Sequence, residues 1–171
     1  MICPNCGFDN VPGTEECASC EQDLTHLDRP EPRDRIEQCL MTDTVRDLGP
    51  VKPVKVLPSQ TLQHALATMV QNNIGAVLVV DEKNLVLGIL SERDILNRVA
   101  GIIPDYQGLY IRDFMTANPV AVASDEKLAF ALHKMHVGGY RHLPVVDQLH
   151  PVGMISVRDL LRYVAKLIKN T

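Results

Sequence analysis

The chain has 171 residues, a net charge of −4 and a hydrophobic fraction of 46%, with few aromatic residues. This composition supports an aliphatic core and leaves room for a small second unit. It excludes a membrane protein, because no apolar run reaches the roughly 18 residues of a spanning helix, and the first residues lack the pattern of a secretory signal. We therefore expect a cytoplasmic protein, whose five cysteines favour metal binding over disulfides.

Charge is distributed unevenly along the chain. Residues 1–28 contain acidic residues but no Lys or Arg, whereas residues 44–171 have a small excess of basic residues. The acidic segment disfavours nucleic acid as a partner, because phosphate contacts need cations. The mildly basic part suits a small anionic ligand better than a polyanion.

Two C-x-x-C pairs mark the acidic segment: Cys3 with Cys6, and Cys17 with Cys20. Four thiolates form a closed tetrahedral zinc set that leaves no position for a substrate, so we predict a structural Zn²⁺. A redox-active C-x-x-C needs a βαβ context that this segment lacks. The pattern predicts a small zinc ribbon over residues 1–26.

A polar, proline-containing linker is predicted over residues 27–43. Within it, the spacing of Ile36, Leu40 and Met41 indicates a short helix over residues 34–41. Cys39 is interpreted as a buried, inert thiol.

Residues 44–171 contain an internal repeat, with one copy at 44–100 and the other at 110–171. Each copy predicts the order strand, helix, strand, strand, helix. One copy alone exposes too much apolar surface, so the copies should pack as a pseudo-two-fold pair with a mixed α/β (α+β) fold.

The elements of the two copies follow from their apolar patterns. The predicted strands are 54–57, 76–80, 85–90, 120–123, 143–146 and 152–155. The predicted helices are 61–72 and 127–137, together with two helices that begin after Ser91 and Ser156.

A Ser-x-x-Asp motif opens the last helix of each copy, from Ser91 to Asp94 and from Ser156 to Asp159. One interpretation is a capping box, which needs no ligand. The other is a binding site, because a helix N-terminus attracts phosphate and an Asp can accept hydrogen bonds from both hydroxyls of a ribose. The two roles are compatible, and the residues alone leave both open.

The two motifs lie in matching contexts, Gly88-Ile-Leu-Ser91-Glu-Arg-Asp94 and Gly153-Met-Ile-Ser156-Val-Arg-Asp159. With DFMTANPV and LPVVDQ, the region 44–168 resembles a tandem CBS pair. The resemblance implies a regulatory module that binds AMP, ADP, ATP or a related adenosyl compound between its repeats and that pairs with a second copy. The cysteine pairs resemble a zinc ribbon, although Cys20 is followed by Glu21 and not by the usual Gly.

By this resemblance, each ligand site joins the Ser-x-x-Asp of one repeat to the first helix and second strand of the other. One site combines Ser91, Arg93, Asp94, Ala131, Tyr140, Arg141 and His142. The other combines Ala65, Ile74, Gly75, Ala76, Ser156, Arg158 and Asp159. Arginine and histidine can contact phosphate and tyrosine can flank a base, so we expect unequal sites, with polyphosphate bound more tightly at the first. Arg141 could equally be a solvated arginine, and His142 a packing histidine.

Nothing in the sequence indicates catalysis, since neither a Ser-His-Asp or Cys-His set nor a P-loop is present. Apolar stripes on the last helix of each repeat predict a homodimer, unless they pack on the chain's own sheet. The stripes consist of Ile95, Leu96 and Val99, and of Leu160, Leu161, Val164, Leu167 and Ile168.

We predict a non-enzymatic adenine-nucleotide sensor that acts on an unidentified protein partner. Two alternatives remain at this stage. The repeats could form a dimerisation and docking module with empty sites. Alternatively, the ribbon could act in a nucleic-acid-binding regulator, which its acidic composition disfavours.

Overall fold

The structure is a computed structural model that describes residues 1–11, 13–25, 32–106 and 108–169. The chain forms two compact units, Met1–Asp34 and Arg35–Thr171. Residues 26–31, which hold the predicted boundary between ribbon and linker, lie outside the described residues. Within the described parts of the chain, no helix is long and apolar enough to cross a membrane.

The first unit consists of two similar turns, each closed by one antiparallel bridge, Ile2 with Asp9 and Glu16 with Asp23. In each turn the residue after the second cysteine donates its N–H to the carbonyl of the first cysteine, at 2.9 Å. That residue is Gly7 with φ +74° in the first turn and Glu21 with φ +55° in the second. Glu21 therefore keeps the turn geometry in a left-handed conformation that a glycine would adopt more easily.

The second unit contains five helices and six strands within the described residues. Helix α1 (Arg35–Thr42) precedes the repeats. The first repeat contains β1 (Lys55–Val56), α2 (Leu62–Asn72), β2 (Ala76–Val80), β3 (Val86–Ser91) and α3 (Glu92–Arg98). The second contains β4 (Thr116–Ala117), α4 (Leu128–Gly138), β5 (His142–Asp147), β6 (His150–Ser156) and α5 (Val157–Lys169). The predicted mixed fold of two repeats is confirmed.

One predicted strand is wrong. Residues 120–123 make a single parallel bridge, Val122 with Val145, where the first repeat has the two-residue strand β1 paired with β2. Only Val122 of this segment is buried, so apolar burial holds one position of it against the sheet. A short strand forms earlier instead, at β4.

The two repeats pair through their opening segments. Strand β4 of the second repeat lies antiparallel to β3 of the first, with Ala117 opposite Gly88, so the first sheet has the order β1-β2-β3-β4. Reciprocally, Val51 of the first repeat bridges Met154 in β6, which otherwise pairs only with β5 among the described strands. Strands from both repeats meet in a buried cluster of Ala76, Leu78, Val80, Ile89 and Met154.

The cores of the repeats are also exchanged. Val45, which precedes the first repeat's strands, is buried in the core of the second, and Ile111 of the second is buried in the core of the first. Backbone bonds fix both crossings, from Val45 N–H to the Glu126 carbonyl and from Leu62 N–H to the Leu109 carbonyl. Neither repeat completes its core alone, so the two form one folding unit.

Helix α1 belongs to this unit and packs against α4 and α5. Lys127 Nζ donates to the Thr42 carbonyl at 2.6 Å, and the Tyr163 hydroxyl donates to Asp43. Cys39 is partly exposed, so its prediction as a buried thiol is wrong. It lies on α1, none of whose residues is fully buried.

Candidate functional site

Four cysteine sulfurs converge in the first unit. The Sγ atoms of Cys3, Cys6, Cys17 and Cys20 all lie within 4.8 Å of one another. Cys3 Sγ lies 3.7 Å from Cys20 Sγ, and Cys6 Sγ lies 3.6 Å from Cys17 Sγ. Tetrahedral Zn–S bonds of about 2.3 Å place sulfurs roughly 3.8 Å apart. The cluster therefore fits a closed four-sulfur metal site.

N–H groups surround the sulfurs. Asn10 Nδ2 and the Ser19 backbone N–H each donate to Cys17 Sγ at 3.5 Å, and Asn10 Oδ1 accepts from Ala18 N–H at 2.9 Å. Burial alone would raise the pKa of the Cys17 thiol, but hydrogen bonds from the backbone N–H groups of Ser19 and Cys20 and from Asn10, together with the neighbouring Cys6 thiol, lower the pKa to about 6. Asn10 is buried and links both turns, a role that the sequence did not indicate.

Two grooves lie between the repeats of the second unit. The Asp94 groove has a volume of about 370 Å³, and the Asp159 groove about 480 Å³, both within the range of small-molecule sites. The Asp94 groove brings together six of its predicted residues: Ser91, Arg93, Asp94, Tyr140, Arg141 and His142. The Asp159 groove brings together Ile74, Gly75, Ala76, Ser156, Arg158 and Asp159.

Two predicted residues are not in the grooves. Ala65 and Ala131 have no exposed surface and belong to the cores of the first and second repeats. Their alignment between the repeats reflects helix packing, since a buried helix face accepts only small side chains where it meets a sheet closely.

In the Asp94 groove, one carboxylate oxygen completes the helix cap. Asp94 Oδ2 accepts hydrogen bonds from Ser91 N–H at 2.9 Å and from the Ser91 hydroxyl at 2.5 Å. Among the described residues, the second oxygen, Oδ1, accepts only one long hydrogen bond, from Thr116 Oγ1 at 3.4 Å. The capping box is therefore present, and it occupies half of the carboxylate.

In the Asp159 groove the cap is the same but the second oxygen differs. Asp159 Oδ2 accepts from Ser156 N–H at 2.8 Å and from the Ser156 hydroxyl at 2.7 Å. Asp159 Oδ1 forms an ion pair with Arg162 Nη1 at 3.2 Å. A ligand hydroxyl at this carboxylate must compete with a guanidinium, which it need not do at Asp94.

The predicted cations are placed differently from one another. Arg93 Nη1 donates to the carbonyl of Gly139, the C-cap residue of α4, at 2.9 Å, and Arg93 also lines the Asp94 groove. Arg158 lines the Asp159 groove only. Arg141 and His142 line both grooves. The basic groups therefore concentrate where the two grooves meet.

His142 is partly buried at this meeting point. Burial lowers the pKa of its imidazole, and the nearby Glu92 and Asp159 carboxylates offset part of that effect. The surroundings of the ring therefore favour its neutral form more than water does.

Sequence reasoning missed two groups of groove residues. Glu92, inside the Ser-x-x-Asp motif, lines both grooves. The opening segments also contribute, Thr116 to Val120 in one groove and Val51 to Val54 in the other. The repeat alignment carried a signal for these segments, because each contains a proline at the same repeat position.

Comparisons with known proteins agree with this architecture. The CBS domain family model matches twice, at residues 45–101 and 111–166. The chain thus belongs to the CBS-domain family, and its cysteine cluster is compatible with a zinc ribbon.

One relative is the CBS domain-containing protein YhcV of Bacillus subtilis. It is 32% identical over 121 residues, which cover 68% of this chain and 82% of YhcV.

Two solved structures were determined with ligands. CBSX2 in complex with AMP has a TM-score of 0.60 and 26% identity, covering 73% of this chain and 98% of CBSX2. The CBS domain pair of MJ0100, in complex with 5′-methylthioadenosine and S-adenosyl-L-methionine, has a TM-score of 0.63 and 25% identity. That match covers 70% of this chain and 98% of the pair.

Proposed function

We propose that the CBS pair is a non-enzymatic sensor that binds an adenine nucleotide (AMP, ADP or ATP) in the grooves between its repeats. The observation that carries the proposal is that the two oxygens of the Asp94 carboxylate have different roles. Oδ2 closes the helix cap. Oδ1 lies in a groove of ligand size, and the one hydrogen bond that it accepts from the described residues is long, at 3.4 Å. A ribose hydroxyl can donate to Oδ1 without disturbing the cap.

The other residues of the Asp94 groove suit the rest of such a ligand. Arg141 and His142 provide donors for a phosphate at the junction of the grooves, and Tyr140 provides an aromatic ring. The AMP complex of CBSX2 and the adenosyl complex of MJ0100 support the ligand class.

The two grooves are proposed to be unequal, with the Asp94 groove the tighter for polyphosphates. Among the described residues, a ribose hydroxyl competes for Asp94 Oδ1 with the Thr116 hydroxyl alone, whereas at Asp159 Oδ1 it competes with the Arg162 guanidinium, which lies at 3.2 Å. Displacing a charged donor costs more than displacing a neutral one.

Zinc in the cysteine cluster is proposed to be structural. The four sulfurs match the spacing of a tetrahedral site. Among the described residues of this unit, the buried hydrophobic cluster contains just Cys3, Cys17 and Leu24. The metal would be held by all four cysteines and would supply cross-linking of the two turns. It would leave no open coordination position for chemistry.

A homodimer is proposed as the assembly. Of the predicted stripes, Ile95, Val99 and Leu160 are buried in the chain's own cores, as the intrachain interpretation required. Leu161 and Ile168, however, are 67% and 60% exposed. A second copy of the module would cover this apolar surface, and a protein partner would read the ligand state of the dimer.

The test is calorimetric titration of the purified chain with AMP, ADP, ATP and S-adenosyl-L-methionine, with GMP as the base control. The proposal predicts saturable binding of at least one adenine nucleotide and weaker binding of GMP. Absence of binding by all of them would favour a docking module whose Ser-x-x-Asp motifs are caps only.

A further inference from the structure

An acidic and a basic side chain meet where the two grooves adjoin. Arg141 Nη1 lies 3.6 Å from Glu92 Oε1, and the two side chains are 57% and 49% exposed. Both residues line both grooves. The same arginine is therefore available to an anion in either groove, and the same carboxylate faces both.

This charge pair breaks the symmetry of the repeats. By the repeat alignment, Val157 corresponds to Glu92 and Gly75 corresponds to Arg141. The backbone around these positions is symmetric, with Glu92 N–H donating to the Gly75 carbonyl at 2.9 Å and Val157 N–H to the Arg141 carbonyl at 3.0 Å. Across the pseudo-two-fold axis, the counterpart of the Glu92–Arg141 pair is thus uncharged.

Gly75 makes room for the pair. A Cβ atom at this position would lie 3.2 Å from Glu92 Oε2 and 3.1 Å from His142 Cε1. The missing side chain lets the carboxylate and the imidazole approach the start of β2, and so reach the Asp159 groove as well as the Asp94 groove.

A phosphorylated ligand changes this balance. A phosphate bound in one groove would draw Arg141 away from Glu92, and the Glu92 carboxylate would then face the second groove without its partner. A second phosphate in the other groove would be repelled by the Glu92 carboxylate and would find Arg141 already bound to the first phosphate. The same carboxylate would attract a cationic adenosyl compound and would not repel a neutral one.

Building on the proposed function, we propose that the Glu92–Arg141 pair couples the two grooves. One phosphorylated nucleotide in either groove weakens binding of a second phosphorylated nucleotide in the other, and leaves room for a neutral or cationic adenosyl compound. Like charges a few ångströms apart near a solvated surface change affinity by about fivefold, and the effect declines with salt.

Unequal grooves also give two affinities without coupling, so the experiment compares one groove in two states. ADP is titrated calorimetrically at low salt into the wild-type chain and into Asp94→Asn, which disables the Asp94 groove. In Asp94→Asn the Asp159 groove binds ADP while the other groove is empty. Coupling predicts that this affinity is about fivefold higher than the affinity of the wild-type chain for its second ADP. Adding Glu92→Gln to both backgrounds should abolish this difference, while Glu82→Gln, an acidic residue outside both grooves, should preserve it.

Each outcome is decisive. If ADP binds but the two affinities agree, or if the difference survives Glu92→Gln, the coupling is refuted while the proposed function stands. If the wild type takes up a single ADP, binding of one ADP by Asp94→Asn in the other groove supports strong coupling, and absence of that binding refutes it. If no variant binds any adenosine ligand, the proposed function itself fails and the coupling with it.

Discussion

Gly153 lies directly against Pro50, so that a Cβ atom at Gly153 would come within 2.6 Å of Pro50 Cβ. The equivalent glycine of the first repeat, Gly88, has Met115 Sδ at the same distance from its Cβ position, and the Thr116 carbonyl oxygen at 3.0 Å. The glycine of each repeat thus marks the place where the opening segment of the other repeat crosses the sheet.

Gly153→Ala should therefore destabilise the CBS unit by about 1–3 kcal/mol, because the rigid proline ring cannot yield to the added methyl group. Chemical denaturation followed by circular dichroism measures the change. Gly108→Ala is the matched control, since its Cβ would meet no atom within 4 Å. Equal stability of Gly153→Ala and the wild type would contradict the tight crossing.

Zinc removal should unfold the first unit and spare the second. Metal analysis should find one zinc per chain, lost in Cys17→Ser and retained in Cys39→Ser, because Cys39 lies outside the cluster. After chelation, NMR signals of residues 1–25 should collapse to unfolded positions, while the thermal transition of the CBS unit stays unchanged. A zinc-free chain with these signals dispersed would contradict the structural role.

Acidification should destabilise the CBS unit through His142. Folding lowers the pKa of this imidazole from its ordinary value of 6.5, so below that value the unfolded chain binds more protons than the folded one. The free energy of unfolding therefore decreases as the pH falls from about 6.5 towards the folded pKa. Denaturation between pH 7.5 and 5.5 should show a smaller decline for His142→Gln than for the wild type. If the free energy of unfolding of His142→Gln falls with pH as steeply as that of the wild type, His142 is not the cause. His64→Gln is the control and should behave as the wild type does.

The exposed stripe on α5 should support the dimer. Leu161→Glu combined with Ile168→Glu places charges in the apolar surface and should weaken dimerisation at least tenfold in sedimentation or light scattering. Val11→Glu, an equally exposed apolar residue in the first unit, should leave the mass unchanged. A wild-type chain that is monomeric at micromolar concentration would refute the homodimer.

Elements with a strong local signal were predictable from the sequence. Strand β2 matches residues 76–80 because it is a continuous apolar run whose five residues are all buried. Helix α2 begins one residue after Thr61 because the Thr61 side chain caps it, accepting from His64 N–H.

Features that depend on contacts between repeats were not predictable. The exchange of Val45 and Ile111 between the two cores arises from the crossing of the opening segments, which leaves no periodic pattern. Ala65 and Ala131 matched between the repeats, and the repeat pattern did not show that both are fully buried in the cores. The sequence did not identify Glu92 as a groove residue. It lies between the capping residues Ser91 and Asp94, where a glutamate that lines a groove cannot be distinguished from one exposed to solvent.

The most direct test of ligand binding replaces each of the two carboxylates in turn by an amide. Asp94→Asn and Asp159→Asn each keep one oxygen that can accept the hydrogen bonds of the capping serine, and each replaces the other oxygen with an NH₂ donor. The fold should therefore persist while recognition of the ribose hydroxyls is lost. Calorimetric titration with ATP should show the tight phase abolished in Asp94→Asn and largely intact in Asp159→Asn. If both variants bind ATP as the wild type does, the carboxylates are helix caps only and the grooves are not the nucleotide sites.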